Sequence, residues 1–189
     1  MNGSVESPAL ELNDLGQAQT ADGLSGGASV RYRENVPGRV VRNYLFGIWN
    51  SAEWNFGGDA QAANTHVEVQ ATLANYWNGW LGFDRRFRAQ DERLTRGGPS
   101  MGRGRGWSAS FGIGSNYSAP TRVSLTASTG RDELGGRSLG VSGGLSFQPG
   151  TRWQASLSPG YSSGVDPRQY FTTLEGGPTI AARVGELFL

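Results

Sequence analysis

The sequence predicts an all-β chain, an antiparallel up-and-down transmembrane β-barrel present as an incomplete section of about ten strands. Three observations predict it. Four successive segments alternate apolar and polar residues with a period of two. The polar side of that alternation is built from Ser, Gly, Thr and Gln, with few charges. Short and long connections take turns along the chain, which would put tight turns on one rim and longer loops on the other.

The alternation is clearest where Trp107, Ala109, Phe111, Ile113 and Tyr117 stand against Ser108, Ser110, Gly112, Gly114 and Asn116. It recurs as Val123, Leu125 and Ala127 against Arg122, Ser124, Thr126 and Ser128, and as Leu139, Val141, Leu145 and Phe147 against Ser138, Ser142, Ser146 and Gln148. A fourth copy sets Trp153, Ala155, Leu157 and Tyr161 against Arg152, Gln154, Ser156, Ser158 and Ser162. A soluble sandwich also alternates, but its polar face meets bulk water and carries many charges. Small uncharged residues suit the crowded or hydrated inside of a barrel, and the bulky ones suit lipid.

Taken in order, residues 1–27 are polar, Gly-rich and without a clear period, and read as a loop or fragment boundary; residues 28–189 read as barrel strands. The first strand, 28–36, ends at Pro37-Gly38. Residues 40–56 lead to a longer connection at 57–65, and 66–77 meets Asn78-Gly79, a two-residue hairpin signal followed by 80–88. The connection 89–105 is long and rich in Gly and Arg, and 118–121 is short and holds Pro120. Residues 130–137 are longer, Pro149-Gly150 is tight, 163–168 is longer and 175–178 is short, before a last strand over 179–189. Trp77 and Trp80 flank Asn78-Gly79, Tyr117 and Trp153 fall beside the same rim, and Trp107 and Tyr161 beside the other, as two interfacial girdles.

Composition narrows the classes. A hydrophobic content of 37% is low for a soluble core in 189 residues, and 30 glycines with 11% aromatics disfavour long helices. A net charge of +1 argues against nucleic acid as a partner. All 17 basic residues are Arg, a bias that genome composition explains as readily as function. Without cysteine there are no disulfides, thiolate metal sites or cysteine catalysis, which fits an extracytoplasmic chain. Residues 1–19 lack the basic start and apolar run of a secretory signal, so export would use a signal on a longer parent chain. No window approaches the ~18 consecutive apolar residues of a spanning helix, whereas barrel strands need only ~9–11 residues.

The run Arg93-Leu94-Thr95-Arg96-Gly97-Gly98-Pro99-Ser100-Met101 resembles a motif of a family of large bacterial outer-membrane β-barrels. Trp107-Ser108, Gly130-Arg131-Asp132-Glu133 and Asp166-Pro167-Arg168-Gln169-Tyr170 resemble the same family in the same order, so the likeness covers residues 40–189. The resemblance implies an outer-membrane location, a carbohydrate-binding-like module N-terminal to the barrel on a longer chain, and further strands. It implies no catalytic residues and no cofactor.

Candidate chemistry is sparse. His66 is the one histidine, so any Ser/His/Asp hydrolase would be built around it; on an alternating strand with Glu68, Gln70 and Thr72 it reads first as an interior polar residue. Asp84, Arg86 and Arg88 point one way on their strand, and Arg93, Arg96, Arg103 and Arg105 extend the cluster into the long loop. They read as an interior charge ladder with a solvated loop, or as an anion-attracting constriction or lipopolysaccharide-phosphate surface. Arg85 falls on the lipid side by strict alternation, which requires either a bulge or a position away from mid-membrane. The single Gly102-Arg103-Gly104-Arg105-Gly106 run lacks the context of a nucleotide-binding loop. The expected role is passive: a pore, anchor or export scaffold contacting membrane lipid. A secreted soluble β-sandwich or carbohydrate-binding module stands as the alternative, and a barrel-embedded hydrolase using His66 as the third.

Overall fold

The computed structural model describes residues 2–6, 23–91 and 101–167. They form an antiparallel all-β fold without helix. The strands are β1 (Asn2–Glu6), β2 (Gly23–Glu34), β3 (Val41–Trp54), β4 (Ala60–Leu73), β5 (Asn78–Arg86), β6 (Ala89–Asp91), β7 (Met101–Arg103), β8 (Gly106–Gly114), β9 (Thr121–Asp132), β10 (Arg137–Phe147), β11 (Ala155–Leu157) and β12 (Gly160–Val165). One sheet takes β1 to β5 and β8 to β12 in chain order, each strand beside its predecessor, with β11 and β12 both on β10. The sheet is open: β1 does not pair with β11 or β12.

Two interruptions conceal longer strands. β11 and β12 hold one register against β10, from Phe147↔Ala155 to Arg137↔Val165, and are parted at Pro159, which has no N–H to give the ladder. The Pro159 carbonyl still accepts the Gly143 N–H at 2.9 Å. Likewise Ala89↔Arg103 continues the register of Asn78↔Gly114 and Arg86↔Gly106. The β5–β6 and β7–β8 runs are therefore two arms of one hairpin that extends past the β9–β10 turn.

Register sorts the side chains. Leu81, Phe111, Ala127, Val141 and Tyr161 follow one another across β5, β8, β9, β10 and β12, and Val69, Phe46 and Tyr32 continue the row across β4, β3 and β2. On the other face, Gly82, Ser110, Ser128, Gly140 and Ser162 make the matching row. Neither side is covered: no hydrophobic residue is buried among the described residues, and Leu81 is 55% exposed, Phe111 41% and Val141 41%.

The polar side is the more crowded. A Cβ on Gly130 would stand 3.3 Å from Ser108 Cβ, and one on Gly106 3.2 Å from Asp132 Cβ, where facing Cβ atoms usually lie ~4.5–5.5 Å apart. On the apolar side a Cβ on Gly143 would meet nothing nearer than 3.6 Å, and one on Gly26 nothing within 4 Å. Convergence of side chains on one face is what bending toward that face produces, so the Ser/Gly side is concave.

Three tight hairpins share one loop design. Leu73, Asn55 and Asp132 each donate a backbone N–H to the carbonyl four residues on, at 2.7, 3.0 and 2.9 Å. The residue before that carbonyl is left-handed in each: Tyr76 (φ 64°), Gly58 (φ 88°) and Gly135 (φ 94°). These are three-residue loops closed by a left-handed residue. All three are stapled by side chains: Asp59 N–H donates to Asn55 Oδ1 at 2.8 Å, Trp77 N–H to Asn75 Oδ1 at 3.1 Å and Gly136 N–H to Asp132 Oδ1 at 2.8 Å.

Several sequence expectations change. Asn78-Gly79 is not a turn: both residues lie in β5 opposite Thr72 and Ala71, because the chain has already reversed through Ala74, Asn75 and Tyr76. The first 27 residues are not all loop, since β1 pairs with β2, which begins at Gly23 and not at residue 28. Residues 60–65 are strand, paired with β3, because ladder partners decide strand formation where local propensity is weak. Loop length does not sort by rim among the described residues: 55–59 and 133–136 are as tight as 74–77 on the opposite rim. The strand expected at 179–189 lies outside the described residues.

Candidate functional site

The concave face carries a chain of contacts across five strands. Arg31 of β2 lies over the Trp49 ring of β3, 5.3 Å from its centroid. Trp49 meets the His66 ring of β4 at 5.4 Å. His66 Nδ1 stands 2.7 Å from Asp84 Oδ1 of β5, and Ser108 of β8 donates its hydroxyl to Asp84 Oδ2 at 3.4 Å. Direct register produces the last part of the chain, since Trp49↔His66, His66↔Asp84 and Asp84↔Ser108 are facing pairs. Glu68 accepts from Gln70 and lies 3.9 Å from His66 Nε2.

The order of these groups determines their chemistry. A hydrolytic relay sets the imidazole between hydroxyl and carboxylate. Here the carboxylate of Asp84 sits between His66 and Ser108, so it collects two hydrogen bonds and the described contacts include none from His66 to Ser108. Among the described residues no group of three or more His, Asp or Glu could hold a metal ion.

Two tryptophans stand on this face over glycines, a feature the alternation did not reveal. The Trp49 ring covers Gly47, and the Trp80 ring covers Gly112 directly across from it, where an added Cβ would collide with either ring. Trp80 is thus on the polar side and is no part of an outer girdle. Tyr161 is also displaced from its expected place: it faces Val141 in the middle row of the apolar side, not at a rim. Trp107 lies on the apolar face at the end of β8, with its ring stacked on Phe83 at 6.4 Å. Trp77, Tyr117 and Trp153 lie at the opposite rim, where the Tyr117 hydroxyl donates to Asn78 Oδ1 at 3.2 Å. The sequence signal for the two inward tryptophans was their spacing from glycines on facing or same-side positions, legible only with the register known.

The described members of the expected Arg cluster gather at the rim from which the long hairpin leaves, where two acids of the β9–β10 turn pair with three of them. Arg88 donates from Nε at 2.9 Å and Nη2 at 2.7 Å to Glu133 in the β9–β10 turn. The Arg105 backbone N–H donates to Glu133 Oε1 at 3.0 Å, and its Nε lies 3.1 Å from Oε2. These contacts bring the Glu133 carboxyl down to about 2: the Arg88 hydrogen bond is the largest cause, the Arg105 N–H and both charges assist, and partial burial opposes. Arg88 is in turn held above its usual range. Arg86 lies 3.9 Å from Asp132 and donates to the Gly104 carbonyl at 3.4 Å. Both arms of the long hairpin are thereby tied to the neighbouring turn. Arg103 lies in β7, while Arg93 and Arg96 are outside the described residues. A recess of about 620 Å³ opens beneath this cluster, with Asp84, Arg86, Ser108 and Asp132 among its lining residues.

Comparison with known families, curated proteins and solved structures finds no significant match.

Proposed function

We propose that this chain is part of the wall of a bacterial outer-membrane β-barrel, acting passively as a pore, an anchor or an export scaffold. One observation carries the reading: a broad single-layer sheet has a continuous row of Tyr, Phe, Val, Leu and Ala on one side, and no described residue packs a second layer against it. Soluble monomers rarely leave apolar patches beyond a few hundred Å² uncovered. Hydrocarbon tails are the medium that such a face requires. A soluble β-sandwich would hide it against a second sheet.

Further observations support the same reading. The strands from β2 to β10 that build the main sheet run from 9 to 14 residues, each long enough for the ~9–11 that cross a bilayer and longer than the usual ~5–6 of soluble sheets. The concave side is lined by Ser, Gly, His, Asp and Arg, as an aqueous lumen needs. Arg85 requires no bulge, since β5 keeps register with both neighbours through Arg86; it stands next to the strand's end, one row beyond Phe83. Lipid also demands that both free edges find partners, so the proposal includes further strands to close the barrel. The likeness to large outer-membrane barrels, with a carbohydrate-binding-like module on a longer chain, belongs to the same proposal.

Partitioning tests it. The chain should separate with membranes and stay monodisperse only in detergent; a water-soluble monomer without detergent would overturn the reading.

A further inference from the structure

One row of the apolar face breaks its own chemistry. Two residues beyond Phe83, Ala109, Thr129 and Leu139, the facing positions are Arg85, Trp107, Arg131 and Arg137. The row continues into β4 and β3 as Thr65, paired with Arg85, and Asn50, to which Thr65 donates at 2.6 Å. Three guanidiniums therefore share the side that otherwise bears Phe, Leu and Val. Arg131 and Arg137 stand directly opposite each other across β9 and β10.

Like charges in facing positions destabilise a sheet. The nearest acids in sequence do not relieve them. Asp132 turns to Arg86 and to the backbone of its own turn, and Glu133 to Arg88 and Arg105, all at the rim cluster. No carboxylate pairs with Arg85, Arg131 or Arg137 among the described residues. An anion between the two facing forks would turn a repulsion into two sets of charge-assisted hydrogen bonds, and a phosphate matches a guanidinium fork.

We infer that Arg131 and Arg137, flanked by Arg85 and Trp107, bind the phosphate of an anionic membrane glycolipid. The inference rests on the lipid-facing reading of this side and names its partner. The lipid source, as opposed to free phosphate, follows from the neighbouring rows. Leu139 and Phe83 come ~7 Å farther along the strands, with Val141 and Phe111 after them, so acyl chains hanging from a phosphate at the Arg row lie on exposed apolar side chains. Trp107 stands where headgroup meets hydrocarbon, a position tryptophan favours.

The test is native mass spectrometry of the protein in detergent micelles titrated with diphosphorylated lipid A, with its dephosphorylated form and inorganic phosphate as separate arms. The wild type should retain diphosphorylated lipid A, and the Arg131→Gln/Arg137→Gln variant should bind it about 30-fold more weakly. Excess inorganic phosphate should not displace it. Equal retention by the variant, equal binding of dephosphorylated lipid, or ready displacement by phosphate would each overturn the assignment. Should the Gln pair lose heat-modifiable migration, the Arg131→Lys/Arg137→Lys variant replaces it: affinity should drop about fivefold with the forks, and unchanged affinity overturns the inference. A chain that enters micelles but ignores these substitutions refutes this site alone, whereas a chain soluble without detergent refutes the membrane reading beneath it.

Discussion

Placing an arginine in the middle of the apolar face distinguishes lipid from water as its medium. Phe111 lies four residues from Trp107 on β8, ~14 Å along the strand and, at the usual 35–45° tilt, about 10 Å deeper in a bilayer. Its facing partners are Leu81 and Ala127, and the residue is 41% exposed. In lipid, Phe111→Arg should cost about 2–4 kcal/mol, the penalty for a cation near the midplane. In water the same exposed position should tolerate it within about 0.5–1 kcal/mol. Ser110→Arg is the control: it is the adjacent residue on the concave, polar side, where the proposed reading puts water, and its cost should stay near or below 1 kcal/mol. The assay is urea unfolding of the protein inserted in phosphatidylcholine vesicles, followed by tryptophan emission, with heat-modifiable migration as the check on insertion. Equal free energies for the two variants, or a Phe111→Arg cost below 0.5 kcal/mol, would refute the assignment of faces to media.

The clamp on the long hairpin titrates in acid. Because Glu133 falls from 4.5 to about 2 on folding, its contribution is fully present above pH 4.5 and is lost as pH falls toward 2. The chain has no native cysteine, so a nitroxide on Gln90→Cys reports the hairpin alone: its mobility should rise across that window in the wild type and be high at every pH in Glu133→Gln, and a flat wild-type profile would contradict the clamp. At the β4–β5 turn, Tyr76 is left-handed and packs under Arg42 at 4.4 Å, so Tyr76→Gly should be more stable than Tyr76→Ala by about 1 kcal/mol, read by urea midpoints. Gly47→Ala should displace the Trp49 ring and destabilise by about 1–3 kcal/mol, with a shifted tryptophan spectrum, while Gly26→Ala, with open space above it, should leave spectrum and stability unchanged.

Strand periodicity was legible because it is local. Trp107 to Ile113 and Leu139 to Phe147 announce their two faces by spacing alone, and both emerge as paired strands with those faces intact. Turn positions were less legible. Asn78-Gly79 carries a strong local hairpin signal, yet the reversal happens at Ala74, Asn75 and Tyr76, where a tyrosine occupies the left-handed position that sequence reasoning reserves for glycine. The weakly patterned residues 60–65 become strand only because β3 supplies partners.

Of the candidate site, the Arg cluster could be suspected from sequence, but its pairing with Asp132 and Glu133 could not, because those acids come from a turn some 45 residues after Arg88. The same holds for the contact of His66 with Asp84 and for the alignment of Arg85 with Arg131 and Arg137. The sequence by itself determined that the chain forms two-faced strands, one side bulky and apolar and the other small and polar, since a period of two follows from the pleat of each strand. Only the tertiary structure decided which rows align across the sheet, since register is a relation between strands far apart in the chain, and a shift of one residue would send every side chain to the other face.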